Sequence, residues 1–284
     1  MNFLRQLAFS RLVRRVAKKL HIDAILRPAY RRWTTFLPRV IEAHGLGLSF
    51  KMRVDPQDLQ DQQSDVDHGE RDFLEALKAH LHPGETALDV GAHLGEFTLP
   101  LAKILGEKGR VLSFEPDERV YPRLVDHVKL NGLTNVQTFK KALGDEDREG
   151  RIYFGGGFCP TIVPLEDDTT RRSASGNIEI VRGDTFFARE RLPIPDAVKI
   201  DVEGFEYMVL RGLCGTLASP TCRLICVEVH PEVLPSGVTA ETIMDILRSL
   251  GFGQVTAERR DSEVHVVAVK PGHTLYWPSP LHVS

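Results

Sequence analysis

The stretch Thr86-Ala-Leu-Asp-Val-Gly-Ala-His-Leu-Gly-Glu-Phe-Thr98 constrains this chain more than any other. Ala87, Leu88 and Val90 spell a buried strand with an acid, Asp89, inside it. The strand runs into a turn with glycine at 91 and 95 and then opens a helix. Glycine lets backbone approach a ligand closely, and the free N–H groups of a new helix receive negative charge. Such a turn is by itself a weak signal, because many α/β chains need tight turns. The run Arg110-Val-Leu-Ser-Phe-Glu-Pro116 strengthens it. Glu115 lies 20 residues after Gly95, a spacing that sets an acid over a ribose on a nucleotide-binding sheet.

Together the two motifs resemble the S-adenosylmethionine (SAM) site of Rossmann-like methyltransferases. A dinucleotide fingerprint is missing, since His93 and Glu96 stand where Gly-x-Gly-x-x-Gly needs glycine. Further on, Val198-Lys-Ile-Asp-Val-Glu-Gly-Phe-Glu206 and Cys226-Val-Glu-Val-His230 resemble the FkbM family of SAM-dependent methyltransferases. The resemblance runs from about Glu70 to Lys270, with the motifs in the family's order. It implies an α/β fold: a Rossmann-like class I methyltransferase sheet of about seven strands flanked by helices, preceded by an N-terminal helical and strand extension. It also implies SAM as cofactor and O-methylation of a hydroxyl on a sugar, glycan or polyketide-type small molecule. The cofactor positions it marks are Asp89, Gly91, Ala92, His93, Gly95, Thr98, Glu115, Pro116, Ala142, Leu143 and Asp201. His93 departs from the usual Gly-Ala-Asn-x-Gly turn. In this scheme Asp89 fixes the loop and the amino end of the ligand, Thr98 donates to the ligand carboxylate, and Ala142 and Leu143 lie against adenine. Glu115 offers two carboxylate oxygens to the two ribose hydroxyls.

Asp201, Glu203, Glu228 and His230 carry the chemistry. Asp201 with Glu203, and Glu228 with His230, are read as ending two successive strands, where residues two apart face one side. Neighbouring strands would gather all four at the carboxyl edge, where α/β sheets bind ligands. Two functional readings follow. In the favoured one, Glu203 or His230, with Glu228 nearby, takes the proton of the acceptor hydroxyl. In the other, the four residues hold Mg²⁺, which lowers the hydroxyl pKa; hard carboxylates suit that ion and the imidazole does not. Bracing of loops is the structural alternative to both.

Composition narrows the partners. From Met1 to Arg39 ten bases face one acid, a balance of +9 that leaves −12 for the rest of a chain with a formal net charge of −3. An acidic body disfavours nucleic acid, so no DNA partner is expected. An RNA methyltransferase is still the nearest rival function, encouraged by the basic start. A catalytically silent SAM-binding module is a further alternative, and an NAD-dependent oxidoreductase is disfavoured by the missing glycine. Residues 3–20 repeat apolar positions at helical spacing among bases. This pattern fits a docked helix with a solvated face, or contact with an anionic membrane or a protein partner through residues 1–32. Four cysteines without a Cys-x-x-Cys pair read as reduced thiols. No apolar run approaches the roughly 20 residues of a membrane span. A cytoplasmic location, if anything peripheral to the membrane, is therefore expected.

The chain divides into an extension, 1–68, and a methyltransferase domain, 69–284. Alternation predicts a strand over 46–55, a helix over 70–80, and core strands near 86–91, 110–115, 136–140, 197–202, 223–229, 253–258 and 264–270. Helices are expected near 96–106, 118–131, 204–213 and 239–250. An insertion, about 144–195, carries strand-like runs at 150–154 and 178–182, and its Gly155–Thr161 piece reads either as a lid or as a plain connection.

Overall fold

A computed structural model describes residues 40–45, 47–53, 68–154, 160–164 and 174–277. The basic helix pattern at 3–20 and the expected lid glycines lie outside these residues. The chain separates into two compact units, Met1–Ile41 with Met52–Gln63, and Glu42–Lys51 with Ser64–Ser284. Most of the smaller unit lies outside the described residues, and the architecture below is that of the larger.

The expected strand at 46–55 is β2 (Leu48–Arg53), and it pairs with a strand outside that run, β1 (Val40–Gly45), through a turn at Gly47 with φ +76°. Residues of this left-handed conformation favour glycine, and that turn is what the alternation signal passed over. Helix α1 (His68–His80) then leads to β3 (Thr86–Val90), α2 (Thr98–Leu105), β4 (Arg110–Phe114), α3 (Tyr121–Leu130) and β5 (Val136–Phe139). The insertion contributes β6 (Ala142–Gly144), β7 (Arg148–Phe154), β8 (Pro160–Pro164), β9 (Ala174–Arg182) and α4 (Gly183–Glu190). The chain returns through β10 (Ala197–Ile200), α5 (Glu206–Gly212), α6 (Cys214–Ala218), β11 (Leu224–Val229), α7 (Ala240–Ser249), β12 (Gln254–Arg260) and β13 (Glu263–Val269). All seven core strands and all four core helices stand within a few residues of their expected places.

The main sheet has the order β12-β13-β11-β10-β3-β4-β5. β5, β4, β3, β10 and β11 run parallel, and β13 runs antiparallel to both β11 and β12. This is the seven-stranded α/β sheet that the sequence implied. The two strand-like runs of the insertion, β7 and β9, join β8 and the preceding β6 in a second sheet of order β6-β9-β7-β8. Its middle pairing, β7 with β9, brings Ile152 and Ile178 into the main core.

Period-two alternation sorts each core strand into two faces. One set (Leu88, Val90, Leu112, Val198, Ile200, Ile225, Val227, Val266) packs with Phe186 of α4, Leu210 of α5 and Leu247 of α7. The other set (Ala87, Val111, Ala197, Leu224, Cys226, Val267) packs with Phe73 and Leu77 of α1 and Leu101 of α2. Along this second face the sequence turns polar toward the carboxyl ends of the parallel strands: Asp89, Ser113, Lys199 and Glu228 continue the same alternation. Since β13 is reversed, its first residues, Glu263 and His265, reach the same edge, and His265 pairs in register with Glu228.

Candidate active site

The glycine turn is stapled to its neighbours by backbone bonds. The N–H groups of Gly91 and Ala92 both donate to the Phe114 carbonyl at 3.0 Å, and Gly95 N–H donates to the Ala92 carbonyl at 2.7 Å. His93 N–H donates to Glu115 Oε2 at 2.9 Å. Gly91 has φ +80°, and a Cβ there would run into the backbone carbonyl oxygen of Asp201. Glycine is thus required both by conformation and by close approach. Gly91→Ala is expected to lower stability by about 2 kcal/mol or more, the scale of backbone strain joined to a buried clash, read as a shift of the urea midpoint.

Asp89 is wholly buried, and its Oδ2 accepts from Thr98 Oγ1 at 2.6 Å. Thr98 is equally buried and also meets Ser113 Oγ at 2.8 Å. Both residues therefore brace the strand end beneath the turn, whereas the sequence reading had Thr98 donating to a ligand. Burial raises the Asp89 pKa above the usual carboxylate range, although Lys199 and the Thr98 bond pull the other way. His93, with φ +46°, holds its ring largely in solvent, 3.7 Å from Glu96. Glu115 is buried at the tip of β4, and its two oxygens receive backbone N–H groups from His93 and Asp117, leaving each oxygen a further lone pair. Pro116, half-buried, follows it. Ala142 and Leu143 form β6 and are packed in the core, so each has a structural role whatever binds nearby.

Lys199 ties this turn to the acidic group. Its Nζ, almost fully buried, donates to the Gly91 carbonyl at 3.0 Å and lies 3.6 Å from Asp89 Oδ1 and 3.4 Å from Asp201 Oδ2. It also sits 4.7 Å from the centre of the Phe97 ring.

The acids gather around His230. Strand β10 stops at Ile200, one residue short of Asp201, so Asp201 and Glu203 do not simply extend it as expected. Glu203 occupies a turn with φ +52°, followed by Gly204 at +96°, where a Cβ would strike the Val233 carbonyl. A non-glycine residue in this region stores strain of the kind found at working sites. The turn points Glu203 Oε2 at His230 Nε2, 3.2 Å away, and Asp201 Oδ1 lies 4.0 Å from the same nitrogen. On the ring's other side, His230 Nδ1 stands 2.7 Å from Glu206 Oε1, which also accepts Gly204 N–H at 2.9 Å. Burial would depress the His230 pKa, but the Glu206 bond and the charges of Glu206, Asp201 and Glu203 outweigh it and push it up to about 10. The ring is then an imidazolium near neutral pH. Its contribution to stability is complete below the ordinary histidine pKa of about 6.5 and is lost as pH rises through about 10.

A second acid pair borders the first. Glu228 Oε1 lies 3.5 Å from His265 Nε2, and Glu263 Oε2 lies 3.9 Å from it. Burial opposes ionisation of both acids, and one proton serves the two: bonds from His265 and Glu263 hold Glu228 low, while Glu263 is pushed up to about 8. His265 stacks on Phe73 at 4.5 Å.

With the glycine turn, the buried Glu115 and the acidic cluster in place, comparison with known proteins gives the family. A profile described as the methyltransferase FkbM domain matches residues 89–253, more than half of the chain. The chain belongs to the FkbM methyltransferase family. The hexuronic acid methyltransferase AglP of Haloferax volcanii is 29% identical over 173 residues, covering 60% of this chain and 66% of that protein. The 23S rRNA (uracil(1939)-C(5))-methyltransferase RlmD of Acinetobacter baumannii is 40% identical over 83 residues, 29% of this chain and 18% of that enzyme. Among solved structures, the precorrin-6y C5,15-methyltransferase of Geobacter metallireducens is similar with 14% identity and a TM-score of 0.42, covering 71% of this chain and 88% of that one.

The FkbM match takes in the site from Asp89 to His230 and leaves Glu263 and His265 beyond its end. Of the four expected cluster residues, the structure brings Asp201, Glu203 and His230 into one group, and Glu228 joins the same His230 together with Glu263. Sequence reasoning missed Lys199, Glu206, Glu263 and His265 as site residues. Lys199 had a readable signal: a lone cation inside the apolar run Ala197–Ile200, two positions from Asp201. Glu263 and His265 had none, because only the reversal of β13 brings them to this edge.

Proposed function

We propose that this protein is a SAM-dependent O-methyltransferase acting on a hydroxyl of a sugar or glycan, with Glu203 as the group that accepts the hydroxyl proton. The observation that carries this reading is the Lys199 bridge, which joins the glycine turn to the acids at one sheet edge. The donor set suits SAM: Gly91–Gly95 supplies a close-approach turn, Glu115 keeps lone pairs for two ribose hydroxyls, and Asp201 stands between turn and cluster. SAM would supply an activated methyl on a sulfonium. The chain's own part is to align the acceptor oxygen and take up one proton. The Glu203 carboxylate, 23% exposed and so as accessible as Asp201 at 22%, is the nearer of the two to His230 Nε2, 3.2 Å against 4.0 Å, and this ion pair with the imidazolium orients it. His230, charged and with both ring nitrogens facing carboxylates, has no lone pair to offer a proton, which favours Glu203 over His230 as base.

The same charge bears on metal binding. Asp201, Glu203 and His230, and likewise Glu228, His230 and Glu263, bring ligand atoms within 4.8 Å of one another. Both groups depend on His230, so a cation there would compete with the proton on its ring, and chelation separates the metal reading from the favoured base. The acceptor class follows AglP, whose name gives a hexuronic acid. The RNA reading rests on similarity confined to 83 residues of RlmD and gains no support from the acidic edge described here.

Calorimetry should show SAM binding by the wild type, weakened by about 1–3 kcal/mol in Glu115→Ala, the scale of hydrogen bonds to a charged acceptor. Unchanged affinity would remove Glu115 from the ribose site. Transfer of labelled methyl from SAM to oligosaccharides bearing hexuronic acid, and not to rRNA fragments, is the expected activity; the reverse preference would overturn the acceptor class.

A further inference from the structure

Glu206 stands apart from the other acids. It opens α5 rather than ending a strand, it is wholly buried, and its Oε1 takes both the Gly204 N–H and His230 Nδ1. Its Oε2 is buried without a hydrogen-bond partner among the described residues. Exposure falls stepwise along one line of side chains, from Glu203 (23%) through His230 (10%) to Glu206 (0%). We propose that Glu206 is a positioning residue for methyl transfer: it fixes the His230 ring from behind so that Nε2–H meets Glu203, and the three act as one unit. The proposal rests on the reading of Glu203 as base.

The physics is that of an oriented imidazole. A ring has two nitrogens, and the partner of one decides the state and direction of the other. Glu206 accepts at Nδ1 from a helix start that Gly204 N–H ties to the Glu203 turn, so the ring and the strained turn are held by one carboxylate. With Nε2 protonated, Glu203 has a cationic ion-pair partner 3.2 Å away. With Nε2 bare, two lone-pair-bearing groups face each other at 3.2 Å and Glu203 loses its direction. The charged or titratable groups around the ring are Glu206 on α5, Asp201 and Glu203 in the turn, Glu228 on β11, the strand that ends just before His230, and Glu263 on β13.

Glu206→Gln tests this, since it keeps shape and an acceptor oxygen but removes the charge. Two readouts are needed. In the first, the His230 ring is titrated by NMR in wild type and variant, without any acceptor. The wild-type ring should carry both N–H protons and titrate near 10, while the variant's midpoint should fall toward the ordinary value of about 6.5. In the second, methyl transfer is followed against pH. The wild type should stay active until its alkaline limb near 10; in Glu206→Gln that limb should move toward neutrality, with turnover near neutral pH down about 10- to 100-fold and SAM affinity unchanged. A wild-type ring that titrates at the ordinary value, or a variant whose midpoint does not move, overturns the proposal, and so does a variant whose turnover near neutral pH rises, since that outcome makes His230 itself the base. If Glu206→Gln does not fold, Glu206→Asp, which keeps the charge but draws it back from Nδ1, takes its place: turnover near neutral pH should fall with SAM affinity unchanged, and unaltered turnover overturns the proposal. A protein that transfers no methyl to any acceptor but shows the expected ring titration would refute the functional reading and leave Glu206 as the residue that holds the ring.

Discussion

Lys199→Met is expected to lower the stability of the fold by about 3–5 kcal/mol, the cost of removing one partner from a buried ionic group. The lysine Nζ lies within 4 Å of Asp89 and Asp201 and donates to the Gly91 carbonyl, so the variant strands two carboxylates and a carbonyl at once. For a domain of this size, each kcal/mol corresponds to roughly 2–4 °C in Tm, so thermal unfolding should begin some 6–20 °C lower by the same scaling. The loss should grow with pH. Burial already raises the Asp89 pKa, and without Lys199 it rises further. A group that binds its proton more tightly in the folded state makes folding less favourable as pH increases past its unfolded pKa. Adding Asp89→Asn should recover part of the loss, because the two sites share one interaction. A loss below 1 kcal/mol in the single variant would show that the bridge is not what joins turn and cluster.

Glu203→Gln should give the largest effect on turnover, a fall of about 10²–10⁴-fold, the contribution of a positioned base, with SAM affinity retained. Gln fits the same turn, so the φ +52° conformation is tested no harder than by Glu. Chelation by EDTA should leave wild-type turnover unchanged. If EDTA abolished activity and Mg²⁺ restored it, with Asp201, Glu203 and His230 variants failing alike, the cluster would be a cation site instead. Full activity in both Glu203→Gln and His230→Ala would exclude the base altogether.

How far the sequence could be read follows from the range of each interaction. β3 and its glycine turn were legible because an apolar run, an acid and two glycines are local signals. The seven-stranded sheet came from resemblance, while its order, with β10 between β3 and β11, is visible only in the structure, where it sets Asp89, Lys199 and Glu228 along one face. Glu203 was expected as a strand residue, yet it sits in a left-handed turn, since nothing in Asp201-Val-Glu-Gly announces that the strand ends at Ile200. Glu206 carries no local sign of its role, since its bond to His230 joins residues 24 apart in sequence. Thr98 was read as facing a ligand because a hydroxyl at a helix start commonly does so, and only the buried Asp89 beneath it reveals the other role. In the hairpin β1–β2 the second strand was legible in the alternation of 46–55, whereas Val40–Gly45, with a glutamate and a histidine among few apolar residues, carries no such signal.

The reversed last strand sets a limit on how this edge of the site could diversify. Elsewhere along the carboxyl edge, residues are delivered by connections that lead into helices, and extra chain there can be taken up before the next strand begins. Glu263 and His265 follow a turn of only Asp261 and Ser262, with Asp261 at φ +50°, directly from β12. Inserting or deleting one residue in that turn would slip the register and swap the faces of β13, sending Glu263 and His265 to the apolar side and bringing Val264 to the acids. Variation among relatives that keep the Glu228 pair should therefore be concentrated in the connections after β10 and β11, with the length of the β12–β13 turn held fixed.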